Sequence, residues 1–116
     1  MDYVIHENLW WWGRSYHFVT TDGKAMVCLA VEDDRPDCGC IQSLMVHESI
    51  REQGKGTELV RLAEDYAEQL GLEQVYLCAR KHTFLVDWYR RLGYKVYDDN
   101  PEYSKGKTVA MNKYFK

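Results

Sequence analysis

Apolar and polar positions alternate in short runs through the first half of the chain and recur at helical spacing in two stretches of the second. Tyr16–Thr21 (YHFVTT) and Ala25–Glu32 (AMVCLAVE) read as strands joined by a tight turn at Asp22-Gly23. The polar run Asp33–Asp37 separates them from a third strand, Cys38–His47. Alternation places Cys40, Gln42, Leu44 and Val46 on one face of that strand and Ile41, Ser43 and Met45 on the other. Tyr3–Trp12 fits either a further strand or a short helix. Leu59, Leu62, Ala63, Tyr66, Ala67 and Leu70 then mark a helix that Gly71 is placed to terminate. Gln74–Ala79 is a short, mostly apolar strand of the kind buried between layers. A second helix is expected over Thr83–Leu92, with Phe84, Leu85, Trp88 and Leu92 on one side, Thr83 as its cap and Gly93 as its stop. Tyr94–Tyr97 and Thr108–Phe115 close the chain as strands. The order β-β-β-α-β-α-β-β predicts a mixed sheet with helices on its faces, an α+β or α/β fold.

Length and composition narrow this picture without redirecting it. A chain of 116 residues, 46% hydrophobic and 28% charged, suits one domain over residues 1–116. A net charge of −3 gives no electrostatic case for nucleic acid. No apolar run approaches the ~20 residues needed to span a bilayer, and MDYVIHENLWWW lacks the order of a signal peptide, so no membrane partner and a cytoplasmic location are expected. Cys28, Cys38, Cys40 and Cys78 lie in predicted strands without a C-x-x-C pair. They read as small buried thiols, with no metal site expected.

The stretch from Arg51 to Thr57, R-E-Q-G-K-G-T, stands between a strand and a helix. It is not a P-loop, because Ser49 occupies the first glycine position and Gly56 stands where Ser or Thr is required. It is not a dinucleotide fingerprint either, because Leu59 replaces the third glycine. Glycines here let consecutive N–H groups approach an anion at a helix start, and Arg51 and Lys55 add positive charge. Turns account for most isolated G-x-G pairs, so the neighbouring residues decide.

The run from Leu44 to Gly56 resembles the acetyl-CoA-binding motif of the GCN5-related N-acetyltransferases, roughly L-x-V-x-P-x-Y-R-x-x-G-x-G, at Leu44, Val46, Arg51, Gly54 and Gly56. It departs from that pattern at Glu48 and Ile50. Downstream, Trp88-Tyr89-Arg90-Arg91-Leu92-Gly93-Tyr94 is similar to the family's F-Y-x-x-L-G-F. The resemblance implies a mixed, mostly antiparallel sheet with splayed central strands. It implies transfer of an acetyl group from acetyl-CoA to a primary amine, of a small molecule or a protein, by direct attack in a ternary complex. A catalytically weak acyl-CoA-binding or sensing module of the same fold is the alternative.

By the same resemblance, the backbone of Leu44, Met45 and Val46 meets the pantetheine arm and the acetyl carbonyl. Arg51, Glu52, Gln53, Gly54, Lys55, Gly56 and Thr57 surround the pyrophosphate of coenzyme A. His82 stands where many relatives have a cofactor-contacting asparagine; a plain helix-start role is the alternative. Tyr89 is the expected general acid, although periodicity alone makes it a core residue beside Trp88. The family often places its base where Cys40 and Gln42 stand; Gln42 fits a water-orienting role, with His47 and Glu48 as alternatives. About fifteen residues precede Tyr16, too few for the strand and two helices that usually roof the acceptor site. A shortened N-terminal region is therefore expected, with an open acceptor side or a wall supplied by a second subunit in a homodimer. Trp10-Trp11-Trp12 suits core packing or a dimer interface before a substrate pocket, and Asp98, Asp99 and Glu102 suit a solvated loop.

Overall fold

A computed structural model describes residues 2–115. Seven strands and two α-helices follow in the order β1 (Tyr3–Trp10), β2 (Gly13–Thr20), β3 (Ala25–Glu32), β4 (Cys38–Val46), α1 (Lys55–Gln69), β5 (Gln74–Arg80), α2 (Phe84–Arg91), β6 (Lys95–Asp98) and β7 (Thr108–Tyr114). They form one sheet in the order β1-β2-β3-β4-β5-β7-β6, antiparallel except for the parallel pair β4–β5. The expected mixed α+β architecture is therefore present, and Tyr3–Trp12 resolves into a strand and the turn that follows it. β1 passes directly to β2 through Trp11-Trp12, with no helix between them.

Helix α1 buries Leu59, Val60, Ala63 and Ala67, which fall on one face at helical spacing. It ends as Gly71 adopts φ 83°, with Gly71 N–H donating to Glu68 O and Leu72 N–H to Ala67 O. That pair of bonds is a Schellman cap. Helix α2 begins with the Thr83 hydroxyl accepting from Leu85 N at 3.3 Å, and it ends in the same cap. There Gly93 N–H donates to Arg90 O and Tyr94 N–H to Tyr89 O. The hydrophobic contact that completes such a cap is Tyr89 against Tyr94, ring centroids 5.6 Å apart. The Tyr-x-x-Leu-Gly-Tyr run thus has a local structural reason for its spacing.

Both helices pack into one core, which also takes Tyr16, Phe18, Val27, Leu29, Ile41, Val75, Leu77 and Met111 from the strands. Tyr66 of α1 anchors the N-terminal strands by lying against the rings of Tyr16 and Phe18. The opposite sheet face carries His17, Cys28, Ala30, Cys40, Gln42 and Tyr76, aligned by the strand registers.

One expectation for β4 is corrected. Ile41, Leu44 and Val46 all pack on the core, although alternation put Ile41 opposite the other two. Cys28 pairs with Gln42 and Met26 with Met45, so Ser43 and Leu44 together oppose Val27. Ser43 sits at φ 56° in this bulge. The extra residue inverts the side-chain parity of everything after it. The cysteines also differ from expectation: Cys28 is buried, Cys38 and Cys40 half-buried, and Cys78 exposed.

Candidate functional site

Two features of β4 meet at the start of α1. The first is a gap in the sheet. β4 pairs with β5 only at Cys38–Gln74, Gly39–Val75 and Cys40–Tyr76, yet β4 continues to Val46 and β5 to Arg80. Past the third rung the strands part, leaving alternate backbone groups of both without a ladder partner on that side.

The second feature is the loop that follows. His47 Nδ1 accepts from Ser49 N–H at 3.1 Å and lies 2.8 Å from the Ser49 hydroxyl, which tightens the turn over Glu48–Ile50. Arg51 turns back, its Nε donating to Val46 O at 3.1 Å. Gly54 then caps α1 at φ 77°, a conformation that favours glycine, and offers no side-chain bond to the helix start. The first helical hydrogen bond runs from Glu58 N–H to Gly54 O. Among the described residues no side chain caps the N–H groups at Lys55, Gly56 and Thr57, and a 15-residue helix dipole stands behind them. This is the arrangement that binds an anion. A Cβ on Gly56 would meet the Trp88 ring at 3.4 Å and Val46 Cγ2 at 3.8 Å, so a side chain there would grow into the same space.

Loop, strand end and helix α2 enclose an open cleft of about 1140 Å³. Its lining combines the cations Lys24, Arg51 and Lys55 with the apolar side chains of Met26, Leu44, Val46, Phe84, Leu85 and Trp88, and Val46 and Trp88 lie beside Gly56 at the uncapped helix start. A ligand that carries both an anionic group and a less polar arm fits such a mixed lining. These residues suit coenzyme A: backbone donors and two or three cations for the pyrophosphate, and a half-apolar strand edge for the arm.

Of the residues expected to bind cofactor, Leu44, Met45, Val46, Arg51, Glu52, Gly54, Lys55, Gly56 and Thr57 line this cleft. Gln53 is exposed in the loop but does not line it. His82 is exposed at φ 60° between β5 and α2, also outside the cleft. Gln42 lies on the opposite sheet face, its Nε2 donating to Cys28 Sγ at 3.8 Å. Tyr89 is 7% exposed in the core, and burial pushes its phenol pKa up. Its hydroxyl has no hydrogen-bond partner among the described residues, whereas the Tyr94 hydroxyl donates to Glu64 Oε2 at 2.7 Å. Of the expected β4 positions, Cys40 is a weak base candidate because burial pushes its thiol up to about 11.

Sequence reasoning missed the contribution of α2 and of the β2–β3 turn. The sequence places Phe84, Leu85 and Trp88 on one side of the helix without a ligand role; all three line the cleft, with Phe84 75% exposed. An aromatic at each of two positions four apart, opening a helix next to the glycine loop, was the available signal. Lys24 enters the cleft because His47 N–H bonds to its carbonyl at 2.7 Å, a pairing no local pattern announces.

Comparison with known proteins accords with this geometry. The model of the acetyltransferase (GNAT) family matches residues 1–94. A Klebsiella pneumoniae subsp. pneumoniae protein assigned as an acyl-CoA N-acyltransferase superposes with a TM-score of 0.74 at 14% identity, over 98% of each chain. A Bacillus subtilis acetyltransferase in complex with CoA gives 0.69 at 19% identity, over 90% of this chain and 78% of that one. The PaiA N-acetyltransferase of Thermoplasma acidophilum, in complex with coenzyme A, gives 0.70 at 14% identity, over 87% and 60% respectively. With uncapped helix start, split sheet and family match in agreement, this chain belongs to the GNAT acetyltransferase family.

Proposed function

We propose that the protein is an acetyl-CoA-dependent N-acetyltransferase acting on a primary amine of a small molecule or a protein. The observation that carries this is the uncapped start of α1 beside the parted ends of β4 and β5. Bound acetyl-CoA supplies an activated acetyl thioester, which the amine nitrogen attacks with cleavage of the C–S bond. The chain's residues hold and orient. N–H groups of Lys55, Gly56 and Thr57 receive the pyrophosphate, with Arg51 and Lys55 as counter-charges. An N–H in the unpaired part of β4, at Leu44 to Val46, hydrogen-bonds the acetyl oxygen as charge develops there. The amine must lose a proton and the departing sulfur must gain one. Tyr89, kept protonated by its buried setting and without a hydrogen-bond partner among the described residues, is the donor to the sulfur. Gln42 orients a water that accepts the proton of the amine.

A second reading, a weakly catalytic acyl-CoA-binding module, is favoured by the lack of a carboxylate or imidazole at Cys40 and Gln42 and by the position of Tyr89 outside the cleft lining. The experiment that tests both is a thermal-shift titration with acetyl-CoA, followed by release of CoA thiol over a panel of amines and peptides. A ligand-dependent rise in Tm with turnover is expected. A rise without turnover on any acceptor selects the binding module, and no rise at saturating acetyl-CoA defeats both. Tyr89→Phe is expected to lower kcat at least tenfold while keeping the shift; unchanged kcat removes it from the reaction.

A further inference from the structure

The two edges of the sheet are built differently. β6, at one edge, is four residues long, carries a register shift and presents Lys95 and Asp98. These are ordinary ways of stopping an edge from pairing with another chain. β1, at the other edge, is twice as long, has no register shift and carries a single charged residue, Glu7. It runs eight residues in unbroken register against β2, with no proline, and all eight residues are exposed. Among them Leu9 is 77% exposed, Trp10 49%, Val4 46%, Ile5 39% and Tyr3 36%, and Trp11 just beyond is 93% exposed.

We propose that β1 is a self-association edge, pairing antiparallel with β1 of a second copy to continue the sheet across a two-fold axis. Thr21 N–H donates to Asp2 O, so Asp2 and the even-numbered residues of β1 bond inward to β2. The outward backbone donors and acceptors therefore belong to Tyr3, Ile5, Glu7 and Leu9. A two-fold axis normal to the sheet at His6 pairs all four at once: Tyr3 with Leu9 of the other copy, and Ile5 with Glu7. Centring at Glu7 instead would set two carboxylates directly opposite, which is unfavourable. The area is sufficient in scale. Aromatic side chains present about 150–250 Å² each, so the exposed parts of Tyr3, Trp10 and Trp11 alone amount to roughly 400 Å². That is about half the ~800 Å² per partner of a stable interface, before Val4, Ile5, Leu9 and the backbone are included. The contact extends the sheet away from the β4–β5 gap, so it leaves the acceptor side open.

Light scattering across a dilution series is expected to give a dimer for the unaltered chain and a monomer for Ile5→Lys and for Leu9→Lys. Both substitutions fall on exposed side chains, and an unaltered circular dichroism spectrum with a cooperative melt in either shows that loss of the dimer is not loss of the fold. His6→Cys is expected to form a disulfide-linked dimer in air, because a non-hydrogen-bonded antiparallel pair brings the two Cα atoms to about 4.5 Å. Asn8→Cys and the unaltered chain are the controls and should not. A monomer at every concentration overturns the proposal, as does a dimer that survives both lysine substitutions. Cross-linking at Asn8→Cys but not at His6→Cys overturns the pairing register.

Discussion

Glu64 is a carboxylate on the buried side of α1, 5% exposed, and it is held from two directions. Tyr94 Oη donates to one of its oxygens at 2.7 Å and Lys113 Nζ to the other at 3.0 Å, while the same Nζ reaches Leu92 O at 3.0 Å. Three elements are tied at a single side chain: α1, the end of α2 and β7. Burial, then the Glu64 charge, hold the Tyr94 phenol far above its ordinary pKa. Tyr94→Phe is expected to cost about 1–3 kcal/mol, measured by denaturant unfolding, because it leaves one carboxylate oxygen buried with a single donor lost. Cys40 permits a test with pH. Its thiol titrates near 11 when folded and near 9 when unfolded, so above pH 9 the unfolded state sheds the proton first. Stability therefore falls as pH rises from about 9 to 11, by about 2–3 kcal/mol from this group. Cys40→Ser should flatten that part of the stability curve; an unaltered slope would assign the alkaline loss to other groups. The sequence announces these residues unevenly. Gly54, Gly56 and Arg51 were legible because their roles are local to one loop. Glu64 could have been read as buried from its position four after Val60 and three before Ala67, but its partners come from 30 and 49 residues away.

Among the elements, β4 departs furthest from its sequence pattern while contributing most to the site. Its alternation is regular on paper, and the bulge that breaks it is centred on a serine, not on a glycine or asparagine that would have warned of a left-handed residue. Tertiary demand explains the choice. Without the bulge, Leu44 and Val46 would point away from the core that Ile41 occupies, and the cleft would lose its apolar wall. Ser43→Val should oppose the bulge, since a β-branched residue at φ 56° is strained by roughly 1–2 kcal/mol. The expected outcome is a lower Tm together with a smaller acetyl-CoA shift, because Leu44–Val46 would be displaced. A lower Tm with an undiminished shift would show that the bulge serves stability alone. Helices α1 and α2 were legible nearly to the residue, because a capping threonine and two post-helical glycines mark their ends.

Over the whole molecule, the helices occupy one face of the sheet and the other face is left to strands and loops. The sequence of the second half places helices between strands and on the sheet's faces, and the structure corrects this to a single face, because both helices share one core. The N-terminal hairpin shows less, since Tyr3–Trp12 has apolar residues at both parities and so no preferred face. The reason is now physical: β1 buries neither face within this chain. The three rungs between β4 and β5 have a consequence for mechanics. Among the described residues they are the only strand ladder joining the four-stranded block β1–β4 to the three-stranded block β5, β7 and β6, with α1 packed across both. The sheet thus has a seam, and the β4 side of its open length, Leu44–Val46, lines the cleft. A cofactor arm bonded along β4 would work as a splint across that seam. Amide exchange in Leu44–Val46 and in Leu77–Arg80 should then slow when acetyl-CoA binds, while exchange in β2 and β3 stays unchanged. Equal slowing everywhere would mean that ligand simply stabilises the fold as one body, and the seam would carry no motion of its own.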